Sequence, residues 1–352
     1  MLGYDMNIVE RGIRGIFGKE FITRQRKVRY EKFCTVINSD KKEEKYNMIS
    51  TLPQLAEVED ERVLSGFSEY TYSLQNKIYA TGIKMPRSLF EFDQTGQLRT
   101  LVQSLSSRTV NFPDKLVFAI IGTNGTSYDT QNFFDTDHDL GNGVSQINAR
   151  TGLLASDDLL PTSKTARDNA IAAFQGDLMT AKTAMLAFTD DRGEPWFDDI
   201  APEDLMVLCH PQAEFIIRTA LEANMISDTG NLTNGAVRQV ITTNYAAPFL
   251  GSDGSTIYPG TWYLLYVGSA IQPFIFQRFA PKANFPDTIP ESDHKVLQAL
   301  NGVEVQSIMR TGQQIDSQTF FNDEFLFGAR VIYSAGYGMW QYAYRTRDSD
   351  YA

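Results

Sequence analysis

Cysteine and histidine are scarce in this chain, with two and three respectively among 352 residues. Cys34 and Cys209 lie far apart in sequence, so neither a disulfide framework nor a Cys-rich zinc motif is available. The three histidines, His138, His210 and His294, are scattered, and no nucleophile–base–acid set can be assembled from them. Basic residues are also in deficit. Lys and Arg total 32 against 43 Asp and Glu, a formal net charge of −11, which is the opposite of a chain that binds nucleic acid with its whole surface. No apolar run approaches the roughly 20 residues required to span a bilayer. The opening MLGYDMNIVERGIRGIF carries acids and no apolar core of signal length, so the chain is expected to be made and kept in the cytosol unless a particle carries it out.

What is present suffices for two domains in one envelope. Hydrophobic residues are 42% and charged residues 21%, a globular balance. Charge is uneven along the chain. Residues 1–33 hold eight basic side chains (Arg11, Arg14, Lys19, Arg24, Arg26, Lys27, Arg29, Lys32) against four acids. A basic arm in an acidic protein is expected either to touch DNA or an acidic neighbour, or to be a solvated helix face.

The most concentrated chemistry is Tyr128–Gly143, YDTQNFFDTDHDLGNG. Asp135, Asp137 and Asp139 alternate like the start of a calcium loop, but that loop needs Gly at its sixth position and Glu at its twelfth. Here those places hold Leu140 and Gln146. Zinc needs about four ligands, and His138 has no other His or Cys near it in sequence. A His–Asp pair alone has little specificity for acid/base work. The spacing therefore favours a structural loop: Phe133 and Phe134 anchored in a core, and Asp135, Asp137, His138 and the glycines shaping the turn. Cys209–His210 is expected at a strand end, where adjacent side chains face opposite ways. GTNGTS at Gly122–Ser127 lacks the Lys of a phosphate loop.

Periodicity organises the rest. Residues 1–45 are expected to form a partly helical arm, although Gly12, Gly15 and Gly18 weaken the helix. Tyr46–Pro86 turns to strand, with Tyr70, Tyr72 and Leu74 alternating with polar residues. It has few large apolar residues to bury, so it is expected to lie on a neighbouring subunit. Leu98, Leu101, Val102, Leu105, Phe112 and Leu116 predict a long helix over Thr95–Ile121, kinked or split at Pro113. A further helix is predicted over Thr162–Ala187, with strands at Leu205–Cys209, Ala236–Thr243 and Trp262–Val267. Ala329–Tyr344 is apolar on both parities, as a strand covered on both faces would be.

In this order, the Tyr-rich YTYSLQNKIYATGIKMPRSLFEFD (Tyr70–Asp93), the long helix, FFDTDH, QPFIFQR (Gln272–Arg278) and GARVIYSAGYGMWQYAY (Gly328–Tyr344) resemble the Mu-like phage major head subunit family, the gpT type. FFDTDH and GYGMWQ carry most of the likeness, which runs from about Tyr30 to Tyr344. That family is similar to the Hong Kong 97 capsid fold. The resemblance implies an α+β chain: an N-terminal arm (1–45), an extended β loop (46–86), a peripheral domain with a long spine helix (87–160 and 311–352) and an axial α/β domain (161–310). It implies a non-enzymatic major capsid protein without cofactor or metal. Copies would form hexamers and pentamers in the head of a tailed bacteriophage around double-stranded DNA held non-specifically. Scaffold, portal and possible decoration proteins would be partners, the host cytoplasm the place of assembly, and no membrane would be involved. Tyr70, Tyr72, Lys77 and Arg87 are candidates for intersubunit contacts, and Arg11, Arg14, Arg24, Arg26, Lys27 and Arg29 for a DNA-facing arm. Two other readings remain open at this point: a cellular nanocompartment shell of the same fold, and a metal-dependent cytosolic hydrolase using Asp135, Asp137 and His138.

Overall fold

The structure is a computed structural model that describes residues 6–25, 27–49, 69–86, 88, 96–139, 143–279, 303–308 and 324–351. Helix α1 spans Met6–Gln25 and packs against α2, Gln97–Thr123. The three glycines inside α1 do not break it. Ile13, Phe17 and Phe21, one turn apart, are all buried, and burial worth roughly 1.5–3 kcal/mol each outweighs a helix penalty of about 1 kcal/mol per glycine. The backbone carbonyl of Phe17 also accepts a bond from the Ser106 hydroxyl of α2, at 2.9 Å.

Helix α2 has 27 residues, about 40 Å at 1.5 Å per residue. Pro113 lies inside it without ending it. One backbone bond is forfeited there, but Val110, Val117, Phe118 and Ile121 are buried on either side. Next to the proline, the buried Asp114 carboxylate accepts the backbone N–H groups of Arg29 and Tyr30 at 3.0 and 2.9 Å, tying the end of the arm to the helix. Helix α3, Lys164–Leu186, starts where the Ser163 hydroxyl accepts the Ala166 N–H at 3.1 Å, a side-chain cap. Helix α4, Glu214–Glu222, opens three residues after Pro211 and buries Ile216, Ile217, Ala220 and Leu221.

Two five-stranded sheets form the body. In the first, β1 (Cys34–Ser39) runs parallel to β11 (Phe274–Phe279), and β11 pairs antiparallel with the 14-residue β13 (Glu324–Tyr337). Two more strands, β12 (Glu304–Ile308) and β4 (Lys77–Pro86), also pair antiparallel with β13. The second sheet has the order β5 (Ala149–Thr151), β14 (Ala343–Arg347), β10 (Trp262–Tyr266), β6 (Leu205–Cys209), β9 (Gln239–Thr242). Every residue of β6 is buried, as expected of a strand covered on both faces. Two hairpins complete the set: β2 (Glu43–Ile49) with β3 (Glu69–Gln75), and the short β7 (Met225–Ile226) with β8 (Thr229–Gly230).

Two expectations change. The apolar run Ala329–Tyr344 is not one strand. It ends β13 in the first sheet, crosses at Gly338–Tyr342 and begins β14 in the second. Gly338 permits the crossing, since a Cβ there would stand 2.4 Å from the Gln272 carbonyl oxygen. The double-sided apolar pattern arises because both halves are interior strands. The Tyr46–Pro86 segment, expected on a neighbour, is seated within its own chain where it is described: β4 pairs with β13 over ten residues, and the Tyr46 hydroxyl donates to Gln277 Oε1 at 2.7 Å. Backbone ladder bonds supply what its sparse apolar side chains do not. Residues 50–68, the middle of that segment, lie outside the described residues. Among the described residues no helix is long and apolar enough to cross a membrane.

Phe17→Ala should lower the unfolding free energy by about 3–5 kcal/mol. Gly12→Ala, whose new Cβ meets nothing within 4 Å, should raise it by about 0.5–1 kcal/mol. Urea denaturation of the unassembled chain measures both, and equal effects would contradict the packing described for α1.

Candidate functional site

The acidic loop leaves α2 at Asn124, which caps the helix in a left-handed conformation (φ 49°) and donates its N–H to the Ile120 carbonyl at 3.1 Å. The Asn124 side chain then clamps Phe134 from both sides, accepting its N–H at 2.7 Å and donating to its carbonyl at 3.0 Å. This fixes the two phenylalanines. Phe133 turns to the first sheet, with its ring 4.9 Å from Tyr337 of β13 and 5.1 Å from Phe274 of β11. Phe134 turns to the second sheet, 5.2 Å from Tyr263 of β10 and under the Arg345 guanidinium of β14 at 5.0 Å. Both rings are fully enclosed. The Tyr337 hydroxyl accepts the Gly125 N–H and donates to the Ile120 carbonyl at 2.7 Å, so β13 is bonded directly to the end of α2. Burial pushes the pKa of that phenol up to about 12.

His138 is also enclosed, stacked on Trp340 with centroids 4.0 Å apart and planes 7° from parallel. Its Nδ1 meets Asp129 Oδ2 at 2.6 Å, with both side chains essentially inaccessible. Its Nε2 lies 3.2 Å from Asn148 Oδ1. The Asn148 amide nitrogen donates to the carbonyls of Phe133 and Trp340, which orients its oxygen toward His138 and the Asp135 N–H. Both ring nitrogens therefore face groups of the chain, and the enclosed ring has neither edge open to a metal or a substrate. Asp137 and Asp139 point to solvent. Among the described residues no three His, Cys, Asp or Glu side chains converge as a metal cage would require. Cys209 is buried, and burial raises its thiol pKa. His210 next to it has its pKa lowered by burial.

The loop residues singled out from sequence thus meet in one place, but the partner of His138 is Asp129 rather than the nearer Asp135, Asp137 or Asp139. Sequence reasoning also missed Asn148, Tyr337 and Trp340. Only GYGMWQ, noticed as a motif, carried a signal for the last two.

The remaining candidates are dispersed. Tyr70 packs on Tyr128 at 5.6 Å, and the Tyr72 hydroxyl accepts the Tyr337 N–H at 3.3 Å; both contacts are within the chain. Lys77 is exposed at the start of β4, and Arg87 lies outside the described residues. In the arm, Arg11 is exposed. Arg14 pairs with Glu10 at 2.9 Å and Arg24 with Glu20 at 2.5 Å. Arg24, Lys27 and Arg29 line a recess of about 210 Å³ with Asn111 and Tyr245. The same Asn111 and Tyr245 border a second recess, which carries Arg108 and Lys115 of α2. Arg26 lies outside the described residues.

The sequence profile of the family described as Mu-like prophage major head subunit gpT matches residues 6–167 and 251–350. The Mu-like prophage FluMu major head subunit of Haemophilus influenzae is 32% identical over 146 residues, 40% of this chain and 47% of that protein. The major capsid protein of Escherichia phage Mu is 30% identical over 111 residues, 31% of this chain and 36% of that protein. The matches span about half or less of these curated relatives. The mature capsid subunit of bacteriophage PhiM1 superposes with a TM-score of 0.53 at 7% identity, covering 92% of this chain and 88% of that one, a likeness of fold alone.

Asp129→Ala leaves a buried ring nitrogen without its partner and should cost about 1–3 kcal/mol. Asp137→Ala, on the exposed rim of the same loop, should fall within about 0.5 kcal/mol of the parent. Thermal unfolding of the two variants side by side is the check. Elemental analysis of the purified chain should find no stoichiometric metal, and metal that is lost in His138→Ala would overturn the structural account of the loop.

Proposed function

Since the chain belongs to the Mu-like prophage major head subunit gpT family and has the Hong Kong 97-like capsid fold, we propose that it is the major capsid protein of a tailed bacteriophage. It assembles through hexamers and pentamers into the icosahedral head that encloses double-stranded DNA. The observation that carries this reading is the family match, which takes in the arm, the long helix, the acidic loop and both halves of the β13–β14 crossover. In the joint built on Phe133, Phe134, Asp135, Asp137 and His138, the rings are enclosed and both nitrogens of His138 face groups of the chain, which suits a structural role. In this reading residues 1–45 are the arm and 46–86 the extended loop. Residues 87–160 and 311–352 form the peripheral domain, with α2 as its spine, and residues 161–310 form the axial domain. Scaffold and portal are the partners during assembly in the bacterial cytoplasm, and decoration proteins are possible later additions.

Lys77 of the extended loop and Arg87, just beyond it, are the side chains proposed for intersubunit contact. Tyr70 and Tyr72, engaged within the chain, act by holding that loop on the body. The DNA-facing role is proposed for the basic arm, where Arg11, Arg14, Arg24, Arg26, Lys27 and Arg29 would neutralise phosphates without reading sequence. Supporting this, Lys27 and Arg29 adjoin Arg108 and Lys115 across a shared border; Asp114, which also lines the recess, is committed to backbone N–H groups, while Arg24 is paired with Glu20.

Co-expression with a cognate scaffold should yield closed shells by negative-stain microscopy; a chain that stays monomeric in the presence of scaffold would sink the capsid reading. In assembled particles, changing Arg24, Lys27 and Arg29 together to Gln should leave shells intact and reduce DNA retention as salt is raised, since each phosphate contact adds about 0.9 to the salt slope. Unchanged retention would remove the arm from DNA contact.

A further inference from the structure

Strand β14 carries two arginines of the same parity, Arg345 and Arg347, into one recess of about 480 Å³. Its other walls include Gly251, Gly254, Thr261 and Tyr351, and no carboxylate lines it. Arg345 is 7% exposed, and its Nε has no hydrogen-bond partner. Its guanidinium donates from Nη2 to the Phe134 carbonyl at 3.3 Å and also bonds the Tyr263 hydroxyl. Arg347 lies over the Tyr351 ring at 4.2 Å. Among the described residues neither guanidinium has a carboxylate within ion-pair distance. Asp135 acts on Arg345 only from beyond that distance, and the two carboxylates beside the recess in sequence are committed elsewhere. Asp348 accepts from Ser156, Gly260 and Asp350, and Asp253 accepts from Ser255 and Thr256.

Desolvating a guanidinium beside a second one, without a directly paired carboxylate, is costly. Burial, with the Arg347 charge adding to it, pushes the pKa of Arg345 down to about 10. We propose that this recess is an anion site that takes a phosphate group. Two guanidiniums match the charge of a phosphate monoester, which is close to −2 at neutral pH, better than that of a single carboxylate. Planar N–H forks bind such oxygens in pairs. The recess also has room beyond the phosphate, bordered by tyrosine and glycine, so a free phosphate and the phosphate of a nucleotide are both chemically suitable sources.

The test is calorimetric titration of the full-length unassembled chain at neutral pH and constant ionic strength, with inorganic phosphate and with a nucleoside monophosphate as separate probes. One saturable site per chain is expected, and a tighter fit for the nucleotide would identify it as the source. Arg347→Gln should weaken binding at least tenfold, while Arg218→Gln, on the distant α4, should not change it. Melting temperatures in chloride and in phosphate accompany each variant: the parent gains in phosphate, and Arg347→Gln should melt normally in chloride but lose that gain. Arg345→Lys provides a second variant should Arg347→Gln fail to fold. Absence of saturable binding with both probes, or unchanged affinity in the folded variants, overturns the proposal. So does a variant that binds no less phosphate but no longer assembles, an outcome that would give the arginine pair to a carboxylate of a second copy.

Discussion

Phe133 and Phe134 are neighbours in the chain and face different sheets, and the union of the two sheets depends on that divergence. The chain bends at this point, and the Asn124 clamp holds the bend, so one dipeptide enters two cores at once. Each ring is enclosed and in contact with aromatic partners, burial worth roughly 1.5–3 kcal/mol apiece with about 0.5–1.5 kcal/mol more for each aromatic pair. The Asn124 clamp, the Tyr337 bonds to the end of α2 and the His138–Asp129 pair all serve to hold that backbone in place. The β13–β14 crossover runs past the same point, so the chain passes from sheet to sheet where the phenylalanines bridge them.

This arrangement suits a shell subunit. A capsid protein must keep one internal geometry while its neighbours pull on it, and a dense joint of rings and satisfied polar groups is stiff. The long α2 and the 14-residue β13 converge on the joint. Arg345 takes part on its far side, stacking on Phe134 while bordering the anion recess, so occupancy of that recess would bear directly on the ring that anchors the second sheet.

The helices α2 and α3 were legible because their apolar stripes are long and regular, and the boundaries differ from expectation by only a few residues. The enclosure of Phe133 and Phe134 was legible because two adjacent large apolar residues interrupt an otherwise polar loop. The identity of the His138 partner was not legible. Four aspartates lie within nine residues of His138, and nothing in their spacing distinguishes Asp129, which folds back under the ring, from three that do not. The end of β13 was hidden for a related reason: a run apolar on both parities reads the same whether it stays in one sheet or crosses to a second. The seating of β4 on β13 was missed because ladder bonds are made by backbone, and backbone leaves no trace in side-chain pattern.

By itself the sequence determined the class of molecule: an acidic, cysteine-poor α+β chain with a long helix, a basic arm and family motifs at FFDTDH and GYGMWQ, and without the ligand spacing of a metal site. Those properties depend on residue type and local period, which tertiary structure does not alter. Only the tertiary structure decided which aspartate pairs with His138, which sheet each phenylalanine enters and that Arg345 and Arg347 share a recess lined by no carboxylate. Each of these is a meeting of residues far apart in the chain, set by how the sheets pack and not by any local preference.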